Sequence, residues 1–506
     1  MYPPLNQHRF LSTGQSVKFN NSHFEFDQHF MDCPLYEKIA NQIELQVHEG
    51  IFLPGAKIPS VRKSSKQMEV SVATVLQAYS LLEDRGVIKA RPQKGYFVQE
   101  TQLQPKEPAK IAPTQNDGTI HALLRRLLHV SQDSNIIQFG AAIPKSQFLP
   151  IRQLQRSVGR LMRLEPEICA AYEFTPGSLS LRRQIAIRML DSGCQLQPDD
   201  ITITLGCQNA LMLSLQAVAK AGDTIAIESP AYHGVLQAIE VLSLKAVEIP
   251  CHAATGIDLD LLEKAVQEWD IKACIVTPNN QNPIGATLNH QARQRLLTLS
   301  SQYRFTLIED DVYGELSYKD KRERSLKADD KQNTVIYCSS FSKSIAPGFR
   351  IGWIVGGPFQ TQIEHYAYVQ SLAIPTLTQT AIANFLENGA YDRHLRKTRL
   401  SYEDNLARCQ ALIEEHFPNG TKTSNPKGGF LLWVTLPESV NAMELHSQAL
   451  EIGIGLLPGL AFSLTAQFSH HFRLNYALNW DNKTDAALKE LGKLCLQQMS
   501  ETVLEK

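Results

Sequence analysis

At 506 residues the chain is too long for one ordinary domain, and its 43% hydrophobic and 20% charged residues are the balance of a soluble globular protein, not of a disordered or fibrous one. A formal net charge of -1 excludes a surface that is basic throughout, so any nucleic-acid contact has to be local. Nine cysteines scattered from Cys33 to Cys495 without a C-x-x-C or a metal-like Cys/His spacing argue for a reducing compartment, and no apolar run approaches the ~20 residues that cross a bilayer, so a cytoplasmic protein without metal or membrane is expected.

Residues 1–32 form a polar extension dotted with His and Phe, with no apolar signal core. From 33 to 98 runs a compact segment. Tyr36, Ile39, Ile43 and Val47 recur at helical spacing, with Gly50 as the stop before Leu53-Pro54-Gly55. A second helix is predicted after Ser60 as N-cap, carrying Val61, Arg62, Lys63 and Lys66. A third opens on Ser71 and runs through Thr74, Val75, Ala78, Tyr79, Leu81 and Leu82 to Gly86. Val87 to Val98 then reads as two short strands and a turn, so the segment is a winged helix-turn-helix. Between Lys57 and Val98 stand eight Lys/Arg against three Asp/Glu, a local charge that attracts phosphates, although a merely solvated face has the same composition.

These residues resemble the GntR class of bacterial transcription regulators: Pro34-Leu35-Tyr36, Gly50-Ile51-Phe52-Leu53-Pro54-Gly55, Ile58-Pro59-Ser60-Val61-Arg62, Thr74-Val75 with Ala78-Tyr79, and the wing Arg91 to Val98. The resemblance implies double-stranded DNA as partner. Arg62 would contact phosphate, Ser71, Ala73 and Thr74 would enter the major groove, and Lys94 with Gly95 would touch the minor groove or backbone. Many members carry arginine directly after the serine that opens the third helix; here Val72 stands there.

Residues 99–118 hold three prolines among polar residues and read as a linker. From 119 to 506, strand and helix patterns alternate, which predicts an α/β fold with a mostly parallel sheet. Five predicted strands end in polar clusters. Ile201 to Leu205 leads into Gly206-Cys207-Gln208, a helix start whose free amides suit a phosphate. Thr224 to Glu228 leads to Tyr232, Ala273 to Thr277 leads to Asn282, and Phe305 to Ile308 leads to Asp310 and Tyr313. Val335 to Cys338 leads to Ser340, Ser342, Lys343 and Arg350, and an apolar segment, Ile351 to Gly356, follows. Ligand crevices of open α/β sheets lie at such carboxyl ends, so the clusters are expected to converge.

The last cluster can hold a phosphorylated aldehyde, since the Lys343 amine forms a Schiff base while Ser340, Ser342 and Arg350 hold the phosphate. Taken singly, Asp310 reads as a turn residue, Asn282 as a cap and Tyr232 as core packing. In order and spacing together they resemble fold-type I pyridoxal-phosphate aminotransferases across roughly residues 120–490. The resemblance implies that Lys343 carries pyridoxal 5'-phosphate, Asp310 (not the adjacent Asp311) pairs its pyridine nitrogen, and Asn282 and Tyr313 bond its phenolic oxygen. It further implies that Tyr232 stacks on the ring, that Ser340, Ser342, Arg350 and the amides at Gly206, Cys207 and Gln208 hold the phosphate, and that Tyr172 reaches it from the second subunit of a homodimer. Arg473, in Phe472-Arg473-Leu474-Asn475-Tyr476, would fork onto the α-carboxylate of a small amino compound.

A GntR-like head on an aminotransferase-like body resembles the MocR/GabR regulators. Two functions follow: a regulator whose body senses an amino compound or the cofactor itself, and an aminotransferase that carries a winged-helix head. An enzyme has no need of a basic winged helix, which favours the regulator.

Overall fold

The computed structural model describes residues 34–98, 112–114 and 136–504, apart from 49–51, 53–54, 69, 86, 92–93, 320–321 and 466. The polar extension and most of the expected linker lie outside these residues, as do the helix stops Gly50 and Gly86 and the wing residues Pro92 and Gln93. The chain divides into two units, 1–104 and 105–506.

The first unit holds α1 (Leu35–His48), α2 (Val61–Met68), α3 (Val72–Asp84), β1 (Ile88–Arg91) and β2 (Gly95–Val98). Ile39, Ala40 and Ile43 of α1 share one helix face, as do Val75, Ala78, Tyr79 and Leu82 of α3, and these faces bury each other with Ile58, Ile88 and Val98. Ser71 caps α3, its side-chain oxygen accepting from the Thr74 amide at 3.1 Å, a bond worth about 1 kcal/mol. Tyr79 fastens α2 to this core: its hydroxyl donates to the Pro59 carbonyl at 2.7 Å and meets Ser64 Oγ at 2.8 Å. The two strands pair antiparallel with Arg91 opposite Gly95, and Tyr96 packs edge-on against Tyr79 at 4.9 Å.

In the second unit eight strands form the main sheet: β3 (Thr202–Thr204), β4 (Thr224–Ser229), β5 (Lys245–His252), β6 (Gly256–Ile257), β7 (Ile271–Val276), β8 (Thr306–Asp310), β9 (Val335–Ser340) and β10 (Gly352–Val355). Their spatial order is β3-β10-β9-β8-β7-β4-β5-β6, and the run from β9 to β5 is parallel while β10 and β6 are antiparallel to their neighbours. The central strands are continuous buried runs because helices cover both faces. One cover consists of α6 (Cys207–Val218), α7 (His233–Val241) and α10 (Gln360–Ser371), the other of α8 (Leu259–Glu268) and α9 (His290–Tyr303). Upstream lie α4 (Ile151–Leu164) and α5 (Leu179–Met189); downstream lie α11 (Thr376–Glu387) and the long α12 (Ala390–His416).

A smaller antiparallel sheet follows, β11 (Lys422–Thr423), β12 (Leu431–Thr435), β13 (Leu457–Pro458) and β14 (His471–Asn475), in the order β11-β12-β14-β13. It packs with α12, α13 (Ala442–Glu451) and α14 (Asn482–Leu504) into one apolar core. Thr114, near the end of the expected linker, pairs its backbone with Ala246 of β5 in both directions at 2.8 and 2.9 Å, so this part of the segment is tied to the sheet. Among the described residues no helix is long and apolar enough to cross a membrane.

Candidate functional site

The carboxyl ends of β3, β4, β7, β8 and β9 open onto one cavity, lined by Cys207, Gln208, Tyr232, Asn282, Asp310, Tyr313, Ser340, Ser342, Lys343 and Arg350. Ten predicted residues, spread over more than a hundred positions, therefore meet in one place. Thr277 and Val312 also line it, and neither stood out by residue type.

Lys343 follows β9 by three residues and is half-buried. Its Nζ donates to the Ala142 carbonyl at 2.8 Å, and burial, reinforced by Arg473 and Arg350, pushes the amine down to about 8, with Asp310 opposing. An amine held there is neutral, and hence nucleophilic, far more often near pH 7 than an ordinary lysine.

Asp310 ends β8, and its Oδ1 accepts from the Cys207 thiol at 3.4 Å and from the Val312 amide at 3.2 Å. Burial pushes its carboxyl up to about 6. Asp311 points elsewhere. Its oxygens accept from Arg322 at 2.5 Å, from the Tyr337 hydroxyl at 2.9 Å and from Asn279 at 2.8 Å, all buried, so this carboxylate is consumed by the scaffold. Asp310 is the member of the pair that lines the cavity.

At the other end, Gly206 caps α6 with φ +83°, a left-handed conformation natural to glycine, and a Cβ there would run into the Arg350 guanidinium. Arg350, itself at φ 54°, donates to Ser342 Oγ at 3.3 Å and to the Leu205 carbonyl at 2.9 Å. The guanidinium thus stands against a helix N-terminus, whose unpaired amides carry about half a positive charge. With Lys343, Arg350 and Arg473 against Asp310, this region suits an anion-bearing ligand.

Arg473, in the middle of β14, is 1% exposed. It donates to the Gly140 carbonyl at 2.6 Å and to Asn282 Oδ1 at 3.0 Å, and its guanidinium carbon lies 5.0 Å from the centre of the Phe462 ring. Among the described residues no carboxylate pairs with it, and burial pulls it down from 12.5 to about 10. Its Nε, the Tyr313 hydroxyl and Gln208 Oε1 are buried without a protein partner. An unmade buried hydrogen bond costs about 1–3 kcal/mol, so three in one region mark polar ground prepared for a ligand. The donor set fits a phosphorylated pyridine aldehyde: an amine, a carboxylate, a phenol, and an anion cradle at a helix start.

The loop after β9 is braced from below. Phe341 packs its ring 4.7 Å from Trp353 of β10, and Ser344 accepts from Tyr391 of α12 at 2.7 Å while its carbonyl meets His394 Nε2 at 2.9 Å. Tyr172 is not brought to the cavity of its own chain. It is 70% exposed and stacks on Phe174 at 5.6 Å, with Tyr368 also exposed nearby.

On the first unit Arg62, Ser71, Ala73 and Lys94 are exposed, and Thr74 and Gly95 are half-buried. The Ser71 oxygen is engaged in the cap. Gly95, at φ +108°, lets the chain turn beside Lys57, whose Cε would lie 3.0 Å from a Cβ. Lys57, Lys63, Lys66 and Lys89 are exposed as well, and Arg91 lies over the Phe97 ring at 4.6 Å.

Residues 138–491 match the class I and II aminotransferase family, and residues 35–98 match the gntR family of bacterial regulatory proteins. The uncharacterized HTH-type transcriptional regulator YdcR of Escherichia coli is 37% identical over 466 residues, 92% of this chain and 99% of that one. Among solved structures, Pyrococcus horikoshii kynurenine aminotransferase superposes with a TM-score of 0.69 at 30% identity, covering 74% of this chain and 94% of that one. LysN, an alpha-aminoadipate aminotransferase from Thermus thermophilus complexed with N-(5'-phosphopyridoxyl)-L-leucine, superposes with a TM-score of 0.69 at 27% identity, over 74% and 95%.

Proposed function

We propose, for a chain that belongs to the gntR-family regulators of MocR type and whose body belongs to the class I and II aminotransferase family, that it is a transcription regulator sensing an amino compound through that body. The body takes pyridoxal 5'-phosphate, as its family and its phosphopyridoxyl-bound neighbour imply. The bound cofactor supplies an electrophilic carbon that exchanges one amine for another.

In this reading the head is residues 33–98, the linker 99–118 and the effector body 119–506. Lys343 holds the cofactor's carbon reversibly; its lowered proton affinity raises the share of neutral amine, and the Ala142 carbonyl aims it. Asp310 pairs the ring nitrogen, Asn282 and Tyr313 hold the phenolic oxygen, and Tyr232 covers the ring face. Ser340, Ser342, Arg350 and the first amides of α6 hold the phosphate. Arg473 takes the α-carboxylate of the effector, the anion its buried charge lacks. In a homodimer, Tyr172 serves the site of the second copy, which accounts for its exposure in one chain. Arg62 and Lys94 grip operator phosphates while α3 reads bases, and such a protein works in the cytoplasm.

The observation that carries the reading is the head, a capped helix-turn-helix with an exposed cation set, on a chain whose body chemistry serves a sensor and an enzyme equally. An effector that shifts DNA affinity tenfold needs about 1.4 kcal/mol of preference between two states of the protein. The test is a gel-shift on the chain's own upstream DNA with wild type, Arg62→Ala and Lys94→Ala, while amino acids and amines are screened for spectral change and keto-acid product in the same tubes. The expected outcome is operator binding weakened by both substitutions and modulated by one amino compound. Steady keto-acid turnover with no operator binding assigns the chain to the aminotransferases instead.

A further inference from the structure

We infer that the groove between α4 and α12 is a second nucleic-acid contact, which takes the phosphate backbone of duplex DNA; the inference rests on the regulator reading above. Arg152, Arg156, Arg160 and Arg163 recur every three or four residues along one face of α4, all exposed, while Leu154 and Leu161 are buried on the other. Arg393 and Lys397 stand one turn apart on α12, also exposed. Arg152, Arg156, Arg393 and Lys397 line the same groove, together with His394 and no carboxylate. Both helices begin there, at Ile151 and Ala390, and add the positive ends of their dipoles.

Among the described residues none of the six cations forms an ion pair, although the whole chain carries 51 acidic residues against 50 basic ones. Like charges one helical turn apart repel, so the row weakens α4 and is not a device for stability. From Arg152 to Arg163 the row extends about 16 Å at ~1.5 Å per residue, a line rather than a cup, and duplex DNA offers one charge per ~1.7 Å of axis. Five of the six cations are arginines, whose fork matches phosphate oxygens. A polyanion with evenly spaced phosphates satisfies the row, and the chain carries a head of a DNA-binding family.

The groove is connected to the cofactor site. Its lining residue His394, with Tyr391 one turn earlier, contacts Ser344, the residue after Lys343. Backbone DNA held by α12 and an amine exchanging at Lys343 therefore press on the same short segment, and any coupling between them acts equally in both directions.

The test uses the full, cofactor-loaded chain and duplexes from its upstream region, with affinity measured across a salt series. In the variant R152Q/R156Q/R393Q/K397Q, all exposed positions, four phosphate contacts are lost, so the slope of log affinity against log salt becomes shallower by about 3.6. Raising salt from about 50 to about 200 mM then costs the variant about 150-fold less of its affinity than it costs wild type. Retention of the slope when the three arginines are changed to lysine supports a charge contact and guards against a fold defect. A glutamine variant with the wild-type slope overturns the inference, as does competition at the groove by polyglutamate but not by nonspecific duplex. Arg62→Gln in the same series separates the two claims: if it weakens binding while the groove variant does not, only the groove fails. If wild type binds no duplex, the regulator reading fails with it.

Discussion

Replacing Arg473 by glutamine should make the ligand-free protein more stable and less responsive. The side chain is 1% exposed, without a carboxylate partner among the described residues, and burial lowers its proton affinity from 12.5 to about 10, which corresponds to about 3 kcal/mol of disfavoured charge. Against that stand two charge-assisted hydrogen bonds, to Gly140 at 2.6 Å and Asn282 at 3.0 Å, worth about 1.5 kcal/mol each. A glutamine keeps at most one of them, as a neutral bond of about 1 kcal/mol. The net expectation is a gain of about 1 kcal/mol in urea unfolding without effector. The cost falls on the ligand: a forked contact to a carboxylate contains two charge-assisted bonds of about 1.5–3 kcal/mol, so the effector concentration that shifts operator affinity should rise at least ~100-fold. A variant that is less stable than wild type by more than ~1 kcal/mol and still answers to the original concentration would contradict this role. It would make Arg473 a scaffold cation and place the carboxylate elsewhere.

The adjacent carboxylates should separate cleanly. Asp311→Asn removes the nearer of two buried carboxylates from Arg322, leaving Glu315 at 4.0 Å, and is expected to cost about 3 kcal/mol in urea unfolding, whereas Asp310→Asn should leave the fold within ~1 kcal/mol and shift the visible band of the loaded protein; the reverse pattern would exchange their roles. The Lys343 amine, at about 8, is neutral in about 10% of apo molecules at pH 7, against ~0.03% for an amine at 10.5. Cofactor capture by the apo protein should therefore quicken about tenfold from pH 6 to 7 and level off above 8, as read by stopped-flow absorbance; a rate still climbing at pH 10 means an ordinary lysine. The folded value lies below the unfolded one, so between about 8 and 10.5 the unfolded chain binds more protons and the ligand-free body gains stability as pH rises through that window.

What the sequence disclosed was local chemistry. Ser71 announces a cap because the cap bond spans three residues, and Gly206-Cys207-Gln208 announces an anion cradle because helix starts leave amides free whatever the fold. Strand-end clusters could be assembled because parallel sheets place their carboxyl ends on one edge. Relations across long separations were not legible. The fixing of Asp311 depends on Arg322 and Tyr337, and only that fixing explains physically why Asp310 is the one facing the cavity. The Ala142 carbonyl against Lys343 and the Phe462 ring beside Arg473 are backbone and packing contacts without a residue-type signal. The paired basic rows of α4 and α12 are some 240 positions apart, and charge counted along the chain averages them away.

The contact between Phe341 and Trp353 gives the protein an optical probe of its own. The indole is 4% exposed, its Nε1 has no protein partner, and its ring neighbour lies two residues before Lys343. Indole emission overlaps the absorption of a pyridoxal chromophore, so a nearby indole passes energy to it. Loading, and every later exchange at the lysine, should then dim or brighten Trp353 fluorescence without any label, and the same signal can be followed while DNA is titrated into the cuvette.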